Sequence, residues 1–197
     1  MGQIIISVGR EFGSGGRVIA EELAKRFDIP IYDRHLITEI ADMTGLTPEK
    51  IEKYNENPKK KIISRRVRGY SNSIEDNIAE MQFNFLKEKS DSGESFVVVG
   101  RCSETKLKYN PALISLFILA DADAKVKRIM KIYELSEYDA LDFIRKKDKK
   151  RKRYHNYHCS GHWGDSRLYD LCINSSCLGI EKTIDYLESY IRARADI

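Results

Sequence analysis

The chain has 197 residues, long enough for one domain with a substantial core, and its 42% hydrophobic and 32% charged composition is that of an ordinary globular protein. The formal charge of +4 suits an anionic ligand without demanding nucleic acid. No apolar run reaches the roughly 18 residues of a membrane helix and no basic-then-apolar leader opens the sequence. Cys102, Cys159, Cys172 and Cys177 are too scattered for a disulfide scaffold, so the expectation is a cytoplasmic protein with reduced thiols and no membrane contact.

In chain order, the apolar run Ile4-Ile5-Ile6-Ser7-Val8 predicts a strand over residues 3–8, and Ile19, Ala20, Leu23, Ala24 and Phe27 repeat as one face of a helix. Between them stands Gly9-Arg10-Glu11-Phe12-Gly13-Ser14-Gly15-Gly16-Arg17. Glycines there let the backbone approach an anion and turn its N–H groups inward, while the following helix aims its positive dipole end at the same point. The spacing departs from the Walker A form G-x-x-x-x-G-K-[ST]. Five residues separate Gly9 from Gly15, and Gly16, Arg17 and Val18 stand where the lysine and hydroxyl are expected.

Ile29-Pro30-Ile31-Tyr32 predicts a second short strand, Leu36, Ile37 and Ile40 a helix, and Thr47-Pro48 the N-cap and first position of a third helix. Residues 71–89, with Ile74, Ile78, Met81, Phe83 and Phe85, predict a helix whose aromatic side chains belong to the core. Phe96-Val97-Val98-Val99 and residues 113–119 are strands apolar on both faces, as in a parallel sheet covered on both sides, and residues 169–173 are a fifth candidate. Ile180, Ile184, Leu187 and Ile191 mark a closing helix. The alternation predicts a doubly wound α/β fold.

Two basic segments interrupt this pattern. Residues 56–70 include Lys59-Lys60-Lys61 and Arg65-Arg66-Val67-Arg68, and in residues 145–153 every residue but Asp148 is cationic. Such runs are ordinarily solvated faces. The second, however, follows a helix opened by the capping pair Ser136 and Asp139 and precedes the last strand, the place of a lid in a phosphate-transfer enzyme.

Several separated motifs together resemble the cytidylate-kinase-like branch of the nucleoside monophosphate kinases. They are Arg10-Glu11-Phe12-Gly13-Ser14-Gly15-Gly16-Arg17, Tyr32-Asp33, Gly100-Arg101-Cys102, Asp148-Lys149-x-Arg151-x-x-Tyr154, Trp163-Gly164-Asp165, Tyr169-Asp170-Leu171 and Asn174-Ser175-Ser176. The resemblance implies a three-layer P-loop sandwich with a five-stranded parallel sheet of order 2-3-1-4-5. It implies one domain over residues 1–197: core 1–33, 94–135 and 168–197, an acceptor-binding insertion at about 34–93, and a basic lid at about 145–167. The implied reaction is ATP-dependent phosphoryl transfer to a nucleoside monophosphate, CMP or dCMP first, with ATP and Mg2+ as cofactors.

Phosphoryl transfer needs in-line positioning and converging cations more than covalent chemistry. ATP is therefore assigned to Arg10, Gly13, Ser14, Gly15, Gly16, Arg17 and Val18, with Arg17 or Arg10 in the place of the missing lysine. Arg101, at the carboxyl edge of the sheet, would grip the acceptor phosphate, and Asp33 would meet its sugar or base or instead cap a helix near Arg34. Lys149 and Arg151, with Arg17, are the catalytic candidates, supported in the lid by Asp148, Arg153 and Tyr154. With Val18 in the hydroxyl position, Mg2+ would need Ser14 or Asp121, although Asp121 suits a helix N-cap better.

Other readings compete with this one. The missing lysine and hydroxyl allow a nucleotide-holding relative, or a kinase of another small acceptor. His155, His158, Cys159 and His162 would share a helical face and could reach a zinc ion, although Gly161 argues against an unbroken helix. The basic runs at 59–68 and 145–153, interleaved with Tyr154, Tyr157 and Trp163, suit a single-stranded nucleic acid, but the low net charge makes small nucleotides the preferred partners.

Overall fold

The computed structural model describes residues 2–33, 66–67, 70–71 and 74–196; the helices expected around Leu36 and Thr47, and Lys59-Lys60-Lys61, lie outside them. Strand β1 (Ile5–Arg10) is followed by α1 (Gly16–Phe27) and β2 (Ile31–Tyr32), then by a small antiparallel pair, β3 (Arg66–Val67) and β4 (Tyr70–Ser71). Helix α2 (Ile74–Asp91) leads into β5 (Phe96–Val99), and the short α3 (Ser103–Lys106) into β6 (Leu113–Leu119). Helices α4 (Ala122–Tyr133) and α5 (Glu137–His158) precede β7 (Leu171–Asn174), the turn-like α6 (Ser175–Leu178) and the closing α7 (Ile180–Ala195).

The five-stranded sheet has the order β2-β5-β1-β6-β7 with every pairing parallel, which is 2-3-1-4-5 when only its own strands are counted. The alternation of β1 explains the layers. Ile4, Ile6 and Val8 face α1 and α7 through Ile19, Leu23, Ile184, Leu187 and Ile191, whereas Ile5 faces α2 through Phe85 and Leu86 beside Phe96 and Val98. Each fully buried Ile, Leu or Phe contributes about 1.5–3 kcal/mol by leaving water, so both faces are held by the runs that predicted them. β1 extends past its apolar run because Gly9 and Arg10 keep pairing with Phe117 and Ile118. That extension carries the first residues of the glycine loop to the carboxyl edge of the sheet.

The fifth strand begins later than the apolar pattern suggested. Asp170 is spent on a corner: its carboxylate accepts from the Ser115 N–H at 2.7 Å and the Ser115 hydroxyl at 2.9 Å. The basic run differs more, since it lies inside α5 and not after it. Ser136 caps that helix by accepting the Asp139 N–H at 3.2 Å, and Lys and Arg, good helix formers, carry it on to His158. Among the described residues no helix is long and apolar enough to cross a membrane.

Candidate functional site

The glycine loop joins β1 to α1 with Gly13 at φ +86° and Gly15 at φ +80°. A Cβ on Gly15 would run into Ile180 and Arg128, so this position is closed to other residues by space as well as by conformation. Gly15 is also the N-cap of α1, with no side-chain cap bond and no acidic residue in the first turn. The positive end of the helix is therefore left for an external anion.

Ser14 does not project toward that anion. It is wholly buried, its hydroxyl donating to the Glu11 carbonyl at 2.9 Å and accepting the Gly16 N–H at 3.3 Å, while its own carbonyl accepts the Ser175 hydroxyl at 2.6 Å. Ser14 thus braces the loop from within. Asp121, the other residue expected at magnesium, is engaged as well. Its carboxylate accepts the Asn174 amide at 2.8 Å, its N–H donates to the Ser176 hydroxyl at 2.9 Å, and it makes no side-chain cap bond to α4. Asn174 in turn accepts the Ser176 N–H, so the Asn174-Ser175-Ser176 element serves as a cap.

In front of the loop is a cleft of about 430 Å³, in the size range of small-ligand sites. Of the expected residues, Arg10, Gly13, Gly15, Gly16, Arg17, Val18, Asp33, Arg101 and Arg151 line it. Glu11, Phe12, Arg128, Lys147 and Lys150 line it as well, together with an apolar wall of Ile129, Ile132 and Tyr133. Arginines and lysines far outnumber the carboxylates of Glu11 and Asp33, and Glu11 is paired with Lys125 at 2.8 Å. Such a cleft concentrates anions.

Arg17 lies half-exposed on α1, with Nε 2.9 Å from Glu21 and 3.2 Å from Asp33. It thereby links the glycine-loop side of the cleft to the end of β2. Arg128 of α4 touches the glycines of the loop: its Nη1 donates to the Gly13 carbonyl at 2.6 Å, and burial pushes its pKa below the usual arginine value. Nothing in the local sequence distinguished Arg128 from its neighbours Lys125 and Lys127; only the three-dimensional packing of α4 on the loop selects it.

Arg101 sits at the carboxyl end of β5 in an unusual turn. Gly100, Arg101 and Cys102 have φ values of +76°, +63° and +55°, three left-handed residues in succession. For Arg101 and Cys102 that conformation costs on the order of 1–2 kcal/mol each, a strain typical of functional sites. The absence of a Cβ at Gly100 makes room for the Arg10 guanidinium, so Arg10 and Arg101 share this corner of the cleft.

Helix α5 closes the cleft from above. Asp148 accepts the Phe12 N–H at 2.7 Å, and Arg151 donates to the Arg10 carbonyl at 3.2 Å and lies over the Phe12 ring. Burial pushes the Asp148 carboxyl above its ordinary pKa, with the Phe12 N–H and Arg151 opposing that shift. Lys149 and Arg153 do not join this face. Both are exposed and absent from the cleft lining, because at about 100° per residue each stands about 160° from Arg151. Lys147 and Lys150 occupy the positions that the run supplies to the cleft. Tyr154, 7% exposed, anchors α5 by donating to Gln82 at 3.4 Å.

The competing sequence readings fare differently. The quartet His155, His158, Cys159 and His162 separates: α5 ends at His158, His162 is exposed, and the His158 ring packs edge-on to Phe83. His155 turns instead to Glu104, Nε2 standing 2.8 Å from the carboxylate. Burial would lower its pKa, but hydrogen bonds to Cys159 and Glu104 outweigh this and hold it up at about 10. The three aromatics interleaved with the second basic run are engaged within the fold: Tyr154 is buried, Tyr157 donates to Asp76 at 3.1 Å, and Trp163 packs on Phe117.

A parallel sheet of this order, with a glycine loop feeding an uncapped helix and cations converging on it, is the fold of the P-loop kinases. Residues 5–177 match the cytidylate kinase-like family, and the chain belongs to that family. It is similar over 97% of its length to 99% of an uncharacterized protein from Eubacterium ventriosum ATCC 27560 seen in a crystal structure, at 39% identity and a TM-score of 0.77. The fold is shared with the shikimate kinase of Bacteroides thetaiotaomicron, at 14% identity and a TM-score of 0.56, covering 98% of this chain and 99% of that one. The shikimate kinase of Acinetobacter baumannii, in complex with shikimate, follows at 15% identity and a TM-score of 0.52, covering 98% of this chain and 94% of that one. No protein of curated function matches the chain. Family and fold together are those of nucleotide-dependent phosphotransferases.

Proposed function

We propose that the protein transfers the terminal phosphoryl group of ATP to a nucleoside monophosphate, with CMP or dCMP as first candidates. The observation that supports this most is the meeting, in one cleft, of the uncapped amino end of α1 with arginines from four other places in the chain: Arg10, Arg101, Arg128 and Arg151. A single phosphate needs far fewer cations than this. Two phosphorylated ligands held end to end, with charge spreading over the group that moves between them, suit such a set.

In this reading the main chain of residues 13–17 holds the β and γ phosphates, with Arg17 and Arg128 beside them. Arg101 presents its planar fork to the acceptor phosphate. An acceptor phosphate oxygen attacks the γ phosphorus as the bond to the ADP oxygen breaks, and the cleft walls keep the three atoms in line. Arg151, Lys147 and Lys150 of α5 offset charge on the equatorial oxygens. Asp33, positioned by Arg17, faces the acceptor side.

The ATP fit rests on the loop and helix end described above. The residues proposed to hold magnesium do not fit, since Ser14 is turned inward and Asp121 is tied to Asn174. A bound magnesium ion would supply positive charge to the phosphates, beside the cations that Arg17, Arg128 and Arg151 contribute from the chain. The cysteines, all unbridged, fit a reducing compartment such as the cytoplasm.

An ADP-release assay with ATP, magnesium and a panel of acceptors tests the proposal. ADP release stimulated by CMP or dCMP is the expected outcome. Stimulation only by a non-nucleotide alcohol or phosphate would transfer the proposal to another acceptor class, and ATP binding without release with any acceptor would mark a nucleotide-holding relative. Calorimetry without any heat on adding millimolar ATP would sink the whole reading.

A further inference from the structure

We propose that Glu104, His155 and Cys159, with Cys102 behind them, form a binding site for a thiophilic divalent cation, zinc foremost, between the Arg101 turn and the end of α5. The donors come from two pieces of the chain distant in sequence. α3 begins directly after the left-handed turn and directs Glu104 inward, α5 brings His155, and Cys159 follows at the C-cap of α5. One ligand atom from each of Glu104, His155 and Cys159 lies within 4.8 Å of the other two. Donors of a tetrahedral zinc stand about 3.3–3.8 Å apart, so closure on an ion needs side-chain movement of about 1 Å. Cys102 belongs to the same packed cluster as Cys159, outside the group of three donors.

Burial separates this group from an ordinary surface cluster. Glu104 is 6% exposed and His155 5%. His155 lies against Glu104, Nε2 standing 2.8 Å from the carboxylate, and against Cys159, so the three donors already face one another. Carboxylate and thiol against a single imidazole also place two groups that become anions in a nearly dry space, which a divalent cation neutralises. Imidazole and thiolate together favour zinc or cobalt over magnesium or calcium.

The site adjoins the cleft without being part of it. Cys102 follows Arg101 in the chain, and His155 lies one helical turn beyond Arg151; Arg101, Cys102, Glu104, Arg151 and His155 line one small cavity. A bound ion would fasten the turn bearing Arg101 to the helix bearing Arg151, acting as a structural clamp.

The test is anaerobic titration of the chelator-treated, reduced full-length protein with cobalt(II), followed by displacement with zinc. The expected result is one equivalent bound, with a thiolate-to-cobalt charge-transfer band and tetrahedral ligand-field bands that zinc abolishes. Cys159→Ser removes the charge-transfer band or cuts affinity at least about 10–100-fold, and Cys177→Ser, at an exposed position remote in sequence, leaves both unchanged. Should Cys159→Ser not fold, mass-spectrometric alkylation of the unaltered protein decides: zinc protects Cys159 and leaves Cys177 reactive. Absence of any charge-transfer band at several-fold cobalt excess, a band that survives in folded Cys159→Ser, or unprotected Cys159 would overturn the site.

Discussion

The Asp148 carboxylate accepts the N–H of Phe12 at 2.7 Å, so that a helix far along the chain grips the glycine loop by its main chain. The neighbouring Arg151 repeats the device on the Arg10 carbonyl at 3.2 Å. The basic segment is therefore fastened to the phosphate-binding turn by two bonds to backbone, one of them from the Arg151 guanidinium, while Lys147 and Lys150 line the cleft beside it.

Asp148→Ala strands the Phe12 N–H and is expected to cost about 1–3 kcal/mol. Asp148→Asn keeps an acceptor and removes a charge that burial disfavours. Since the folded pKa of Asp148 is raised above 3.8, its favourable contribution is fully present below pH 3.8 and is lost as pH rises through the folded value. The Asn variant should thus gain stability relative to the native chain as pH is raised from acid to neutral. Urea melts of both proteins across that range check the sign, and a pH-independent difference contradicts it.

The two faces of α5 are expected to separate in kinetics. Arg151→Ala should lower kcat by about 100-fold or more, consistent with a cation acting on the transferring group, with a smaller effect on KM. Lys149→Ala, on the opposite face, should stay within about twofold of the native rate. Equal losses in both variants would mean that overall charge, and not the orientation imposed by the helix, governs the reaction.

Arg101 sets function against stability. Arg101→Gly removes an L-residue from φ +63° and should stabilise the fold by about 1 kcal/mol, while the proposed loss of the acceptor-phosphate clamp raises the acceptor KM at least tenfold. Arg101→Ala loses the clamp without relieving the strain. Thermal melts and acceptor titrations on this pair distinguish the effects; a Gly variant with native KM would remove Arg101 from acceptor binding.

The sheet was legible because its strands are short apolar runs bounded by glycine, proline or charge, and because Ile19, Leu23, Ile184 and Leu187 repeat at helical spacing. The glycine loop was legible by composition, yet the direction of Ser14 was not, since hydroxyls at such turns face inward or outward according to loop geometry. In the basic run composition showed charge but not phase. Once Asp148 is pinned to Phe12, helical geometry brings Lys147, Lys150 and Arg151 to the cleft and sends Lys149 and Arg153 to solvent. Arg128 and the Glu104–His155 pair are contacts between distant segments, for which a single sequence carries no periodic signal.

Ser14→Ala separates bracing from metal binding. The hydroxyl holds the Glu11 carbonyl and the Gly16 N–H inside the loop, and its removal leaves both buried groups without that partner, a loss of about 1–3 kcal/mol. A looser loop weakens ATP binding by a similar factor at every magnesium concentration. If the hydroxyl instead ligated magnesium, the variant would demand more of the ion, and its rate would approach the native value at high concentration. Rates measured at saturating ATP over a magnesium series, alongside a thermal melt, decide between them: a lowered melting temperature with an unshifted magnesium midpoint is the expected result, and a midpoint displaced upward would restore Ser14 as a metal ligand.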